Sequence, residues 1–175
     1  MKALIVYESL YGNTAKIAEA IARSLGEHGL EVDVRPVTEV PAAGTAQVDM
    51  LVVGGPTHAH GISRASTRAV GAGDEKNAFP DPTVDPGLRE WLDALPDGAG
   101  RLAAAFDTRF DRSVVLTGSA AKGIARRLEH QGFRLVVTYQ SFFVTNENRL
   151  VEGQVEHAAA WGAELAEHAV QTSTR

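Results

Sequence analysis

A short polar run near the start of the chain has the residue types that bind a phosphate group. The run consists of Ser9, Leu10, Tyr11, Gly12, Asn13 and Thr14. A glycine allows backbone N–H groups to turn toward a ligand, and the hydroxyl groups donate further hydrogen bonds. A helical pattern follows at once, and the unpaired N–H groups at a helix N-terminus attract anions. The run therefore predicts a phosphate cradle without a cation, with a plain turn N-capped by Thr14 as the alternative.

Two more polar segments follow apolar runs, at residues 54–63 and 107–118. The candidate ligand-binding residues in the first are Pro56, Thr57, His58, Ala59 and Gly61. Those in the second are Asp107, Thr108, Arg109 and Phe110. Ligands of open parallel sheets bind beyond the carboxyl ends of the strands, so these segments are predicted to meet the phosphate cradle. The alternatives are a Phe110 packed under its loop and an exposed Arg109 paired with Asp107 or Asp111.

The elements that must position these segments are visible in the apolar patterns. Continuous apolar runs predict buried strands, and apolar residues repeating every three or four positions predict helices. The predicted strands are residues 3–7, 32–35, 50–53, 102–106 and 133–144. The predicted helices are residues 17–25, 86–95, 119–131 and 152–169. This alternation predicts an α/β fold with a three-layer, doubly wound, five-stranded parallel sheet.

The length of 175 residues predicts a single domain, residues 1–175. Residues 71–87 contain three glycines and three prolines, and they predict a long loop insertion within that domain. An ordinary surface loop and a lid over a ligand are the two interpretations of the insertion. Trp91 and Trp161 lie on apolar helical stripes, so they are predicted to be core residues rather than redox relays.

Composition narrows the function classes. The chain has no cysteine and therefore no disulfide or thiolate metal site, so any redox chemistry requires a bound cofactor. A net charge of −5 without a basic block argues against nucleic-acid binding. No apolar run approaches the roughly 18 residues of a membrane span, and no export segment is visible, so a cytoplasmic location is predicted.

Several well-known motifs are missing. There is no Gly-x-Gly-x-x-Gly after the first strand, no Gly-x-x-x-x-Gly-Lys-Ser/Thr and no Gly-x-Ser-x-Gly elbow, and no catalytic residue is predicted. His58 and His60 lack further ligands at a metal-binding spacing, so no metal site is predicted. Residues 118–123 look like a phosphate loop, but Ser119 as a helix N-cap is sufficient to explain them.

Two motifs resemble those of a known family. The pattern Ser9-x-Tyr11-Gly12-Asn13-Thr14 after a hydrophobic strand resembles the flavin mononucleotide (FMN) phosphate loop of flavodoxins and of flavodiiron-protein flavodoxin domains. Residues 54–58 are similar to the Gly-x-Pro-Thr-aromatic loop on which that family rests the flavin ring. The resemblance covers nearly the whole chain except the insertion and the C-terminal tail. It implies a flavodoxin-like fold, FMN as the cofactor, and electron transfer to a redox partner protein or a small-molecule acceptor.

The chain departs from the family pattern at the flavin ring. Flavodoxins usually sandwich the ring between two aromatic side chains, and here His58 and Phe110 are the candidates for those places. The chain is also less acidic than the family usually is, which favours one alternative, an FMN-dependent reductase or oxidase of a small molecule such as a quinone or protoporphyrinogen. A second alternative is a flavodoxin-fold binding module that has lost the flavin.

Overall fold

Strands and helices alternate along the chain, as the apolar patterns predict. The computed structural model describes residues 1–58, 61–67 and 86–173. Ala59, His60 and most of the predicted insertion, residues 71–85, lie outside this part of the chain. The strands are β1 (Lys2–Tyr7), β2 (Glu31–Pro36), β3 (Met50–His58), β4 (Gly61–Ile62), β5 (Leu102–Phe110), β6 (Arg134–Leu135) and β7 (Gln140–Val144).

Four of the helices lie between strands along the chain, and the fifth follows the last strand. They are α1 (Asn13–Glu27), α2 (Leu88–Asp93), α3 (Val114–Thr117), α4 (Ala120–His130) and α5 (Gln154–Ser173). Two short 3₁₀ helices, Val37–Glu39 and Ala42–Gln47, lie between β2 and β3. Ser119 is the N-cap of α4, where its hydroxyl accepts a hydrogen bond from the Lys122 N–H, as the sequence predicts.

The strands form one sheet in the order β2-β1-β3-β5-β6, with every neighbouring pair in this path parallel. β7 pairs with β5 in parallel beyond the short β6, and β4 pairs with β3 in antiparallel. After β1 the chain first adds β2 on one side of it and then β3 on the other, so the strand order reverses at β1. In open parallel sheets this reversal places a ligand crevice at the carboxyl ends of the strands concerned. The prediction of a doubly wound α/β fold is confirmed.

Two apolar cores lie on opposite faces of the sheet. In β1, Ile5 belongs to the core under α1 and α5, and its neighbour Val6 belongs to the core under α2 and α4. This alternation follows from the two-residue period of a strand. Trp161 is buried in the first core and Trp91 in the second, so the prediction that both are core residues is confirmed.

The two central strands continue further than the sequence pattern predicts. The pattern ends the predicted strands at Val53 and Phe106, whereas β3 reaches His58 and β5 reaches Phe110. Gly54 serves close packing rather than a turn, because a Cβ atom there would lie 2.0 Å from the Phe106 ring. The predicted single strand at residues 133–144 is in fact two strands, β6 and β7, which both pair with β5.

Among the described residues, no helix is long and apolar enough to cross a bilayer. The same residues contain no group of three or more His, Asp or Glu side chains arranged to hold a metal ion.

Candidate functional site

The N-terminal end of α1 presents unpaired N–H groups to the carboxyl end of β1. Its N-cap is Gly12, which adopts a φ of 80° that glycine accommodates without strain. No side chain caps the first turn, and the first turn contains no acidic residue. The alternative with Thr14 as the N-cap is therefore wrong, because Thr14 lies inside the helix. This helix end has the free donors and the positive dipole that an anion requires.

Two hydroxyl groups lie beside this helix end. Ser9 is 1% exposed, and its Oγ has no hydrogen-bond partner among the described residues. A buried hydroxyl without a partner costs free energy, which an incoming acceptor would recover. The Thr14 Oγ1 lies 2.8 Å from the Thr108 Oγ1, so the phosphate-loop residue and the β5 residue share a hydrogen bond.

A cleft of about 290 Å³ begins at this helix end and follows the carboxyl edge of the sheet. The structure thus brings together side chains from all three predicted segments. The cleft is lined by Ser9, Leu10, Tyr11, Asn13, Thr14, Pro56, Thr57, His58, Thr108, Arg109, Phe110, Val144 and Asn148. Gly61 does not line it, but lies with His58 in a neighbouring recess of about 280 Å³.

Asp107 does not line the cleft, although the sequence places it among the ligand-binding candidates. It is fully buried, and its Oδ2 accepts hydrogen bonds from the Thr57 hydroxyl at 2.9 Å and the Ser119 hydroxyl at 2.8 Å. The Ala121 N–H donates a third bond at 2.9 Å. Asp107 therefore joins β5 to the end of β3 and to the N-terminal turn of α4.

Thr57 lines the cleft and also makes hydrogen bonds that stabilise the fold. Its hydroxyl donates to Asp107 and accepts a hydrogen bond from the Ala120 N–H at 2.8 Å. The hydroxyl donor and one of the two acceptor lone pairs of Thr57 are thus used within the protein. These two hydrogen bonds fix the end of β3 to β5 and to the first residue of α4.

Arg109 extends from β5 into the cleft wall and is nearly buried. Its guanidinium donates to the Arg112 carbonyl at 2.7 Å and lies 4.8 Å from the centre of the Phe143 ring. No carboxylate among the described residues forms an ion pair with it, so the alternative of pairing with Asp107 or Asp111 is wrong. Its Nε atom is buried and has no hydrogen-bond partner in the described ranges. A positive charge thus borders the cleft, and no described carboxylate neutralises it.

Two residues that line the cleft, Val144 and Asn148, are not predicted from the sequence. Val144 ends β7, and Asn148 belongs to a turn that looks like an ordinary strand connection. The Asn13 side-chain amide donates to the Asn148 carbonyl at 2.8 Å and so fixes this turn against α1. Nothing in the sequence pattern indicates this contact, because the two residues are 135 positions apart.

The chemistry of the cleft fits both the phosphate group and the planar ring of FMN. The bare helix end and the unpaired Ser9 hydroxyl supply neutral donors for a phosphate group. Aromatic side chains of Tyr11, His58 and Phe110 also line the cleft and offer faces against which a planar ring can stack. Phe110 is 40% exposed, so the alternative in which it packs under a loop is not what the structure shows.

Known proteins resemble this chain in both sequence and fold. Residues 4–70 match the family model of the flavodoxin domain. A flavodoxin from Nitratidesulfovibrio vulgaris strain Miyazaki F is 31% identical over 162 residues, which cover 93% of this chain and 95% of that protein.

Two solved structures illustrate the likeness in fold. Oxidised Flavodoxin 1 from Bacillus cereus superposes with a TM-score of 0.69 at 22% identity, covering 96% of this chain and 99% of that one. Rubredoxin:oxygen oxidoreductase from Desulfovibrio gigas gives a TM-score of 0.65 at 18% identity, covering 99% of this chain and 37% of that one. The resemblance inferred from the two motifs is thus confirmed by sequence identity over nearly the full length of a relative. The chain belongs to the flavodoxin family.

Proposed function

We infer that the protein is an FMN-binding flavoprotein that works in electron transfer. Membership of the flavodoxin family carries this inference. One observation of this chain supports it most directly. Within the described part of the chain, no side chain caps the N-terminal end of α1, and the buried Ser9 hydroxyl beside it has no hydrogen-bond partner. Both features are unfavourable in an isolated protein, and both are explained by a phosphate group.

Each part of the cleft has a role in this proposal. Residues 9–14 hold the phosphate through N–H groups and hydroxyls, with Gly12 giving the backbone its turn. Pro56, Thr57 and His58 support one side of the ring from β3, and Thr108, Arg109 and Phe110 border it from β5. Ala59 and Gly61 are proposed as backbone contacts. When bound, FMN supplies the one-electron and two-electron chemistry, and the protein orients the ring and tunes its potential.

The discrimination between FMN and riboflavin tests the proposal. The cradle predicts one FMN per chain and a much weaker affinity for riboflavin, which lacks the phosphate. Fluorescence titration of the apoprotein with each flavin measures both constants. A colourless protein that does not take up FMN would contradict the proposal, and equal affinities would remove the phosphate role from residues 9–14.

A carrier of electrons requires a redox partner. We propose a partner protein as the physiological acceptor, with a small-molecule acceptor as the alternative. The proposal further places the transfer in the cytoplasm, which cell fractionation with detection of the chain tests directly.

A further inference from the structure

Two recesses adjoin the FMN cleft, because each shares lining residues with it. The larger, about 560 Å³, shares Thr57, Arg109 and Phe110 with the cleft, and the smaller, about 280 Å³, shares His58. Their charged side chains are arginines: Arg109 and Arg112 in the larger recess, Arg64 and Arg89 in the smaller. Among the lining residues that the structure describes, none is Asp or Glu. The chain as a whole is acidic, with 22 acidic and 17 basic residues, so the lining of these cavities departs from the average.

The four arginines differ in exposure: Arg64 and Arg112 are exposed, Arg89 is half-buried and Arg109 is nearly buried. Within the described parts of the chain, none of them forms an ion pair with a carboxylate, whereas Arg35 and Arg127 each do. Arg89 donates only to backbone carbonyls, those of Ile62 and Ser63. Burial, and then the like charges of Arg127 and Arg64, lower the pKa of Arg89, while the charges of Asp93 and Glu90 oppose that shift.

The short helix α3 adds an apolar surface beside the larger recess. Val114, Val115 and Leu116 are 46%, 89% and 68% exposed, and the three residues follow Arg112 and Ser113 along the chain. Leu116 and Phe110 line the larger recess. Exposed apolar side chains that sit next to unpaired cations have the composition of a docking surface with an apolar centre and a charged rim.

We propose that this face docks a redox protein whose own docking surface is acidic around an apolar centre. The inference rests on the proposed function, because it assigns the partner of the same FMN cleft. The arginines are divided between two separate recesses beside the cleft, and α3 adds an apolar surface, so the charges and the apolar side chains are spread over more than one anion-sized cavity. Charge complementarity speeds the encounter of such partners, and apolar contacts then hold the complex.

Electron transfer to two probe proteins of opposite charge tests the proposal. The FMN-loaded protein, reduced with dithionite, is mixed in a stopped-flow instrument with acidic plant plastocyanin or with basic cytochrome c. Each oxidised copper or haem centre takes one electron from the reduced flavoprotein. We expect the bimolecular rate with plastocyanin to fall as salt increases and the rate with cytochrome c to rise, because salt screens attraction and repulsion alike.

Variants that each remove one arginine charge show which residues speed the reaction with plastocyanin. At low salt, Arg64→Gln and Arg112→Gln should each slow plastocyanin reduction by about two- to fivefold, if four cations share a typical steering effect. Arg23→Gln is the matched control, since Arg23 lies about ten residues along α1 from the cleft and causes the same change in net charge. Val115→Ser should weaken binding without changing the salt dependence. Amide chemical shifts of the oxidised protein, titrated with plastocyanin, should move at Arg64 and Leu116.

The outcomes separate this inference from the proposed function. A protein that does not take up FMN fails the earlier proposal before any partner is added. A flavin-loaded protein that reduces an uncharged quinone normally, but prefers cytochrome c or shows no charge preference, overturns the docking inference alone. Arginine variants that slow ferricyanide and leave plastocyanin unaffected would also overturn it, because they indicate a small-anion site.

Discussion

The Ser9 hydroxyl is buried beside a bare helix end and makes no hydrogen bond within the described residues. Most buried hydroxyls in proteins do the opposite, as Thr45 does when it donates to the Ala42 carbonyl at 2.8 Å. The Thr45 hydroxyl therefore stabilises the fold, whereas the Ser9 hydroxyl is available to a ligand. The two hydroxyls should therefore respond to deletion in opposite ways.

Replacing Ser9 by Ala should weaken FMN binding by about 1.5 to 3 kcal/mol, or roughly tenfold to more than a hundredfold, because a donor to a charged acceptor is lost. The free energy of unfolding of the apoprotein should stay within about 0.5 kcal/mol or increase, since no hydrogen bond is broken. Thr45→Ala should lower apoprotein stability by about 1 to 2 kcal/mol and leave FMN affinity unchanged. Fluorescence titration and urea unfolding measure the two quantities.

Arg109 should raise the reduction potential of the bound flavin, because its unpaired charge stabilises the more negative reduced form. A unit charge at about 5 Å and an effective dielectric near 20 gives about 3 kcal/mol, of which solvent screening leaves about 1 to 2. Arg109→Ala should therefore lower the one-electron potential of the last reduction step by about 40 to 90 mV, and Arg109→Lys by less. A shift within about 15 mV in a redox titration would show that the charge does not act on the flavin.

Asp107 controls how three elements meet, since one carboxylate oxygen accepts bonds from β3, from the α4 N-cap and from the first turn of α4. Asp107→Ala should lower the free energy of unfolding of the apoprotein by about 2 to 4 kcal/mol, because three buried donors lose their charged acceptor. Asp93→Ala is the control, because its pair with Arg127 is half exposed and worth about 0.2 to 1 kcal/mol. Equal losses in the two variants would contradict the joining role of Asp107.

The sequence predicts the elements well and their ends poorly. Helices and buried strands follow from local apolar patterns, and residues 9–14 follow from local turn chemistry. The ends of β3 and β5 depend instead on pairing between distant segments: Thr108 pairs with Pro56 on one side and Phe142 on the other. Polar residues in such positions look like loop residues. For the same reason, Asp107 is predicted to bind a ligand, whereas its side chain points to α4.

The two cores share one sheet, so we propose that residues 1–175 form a single cooperative domain. Trp91 reports the core under α2 and α4, and Trp161 reports the core under α1 and α5. In the single-tryptophan variants Trp91→Phe and Trp161→Phe, urea midpoints from fluorescence and from far-UV circular dichroism should agree within about 0.2 M. Midpoints that differ within one variant would show that the two cores unfold separately.

The bare end of α1 also bears on the chain before it meets its cofactor. A newly made apoprotein folds with donors that face a site for a dianion. Inorganic phosphate, which is abundant in cells, is small enough to occupy that end as a temporary occupant. By mass action, phosphate at about ten times its dissociation constant would stabilise the apoprotein by about 1.4 kcal/mol, and FMN would then have to displace it. Phosphate buffer should thus raise the melting temperature of the apoprotein while slowing its uptake of FMN.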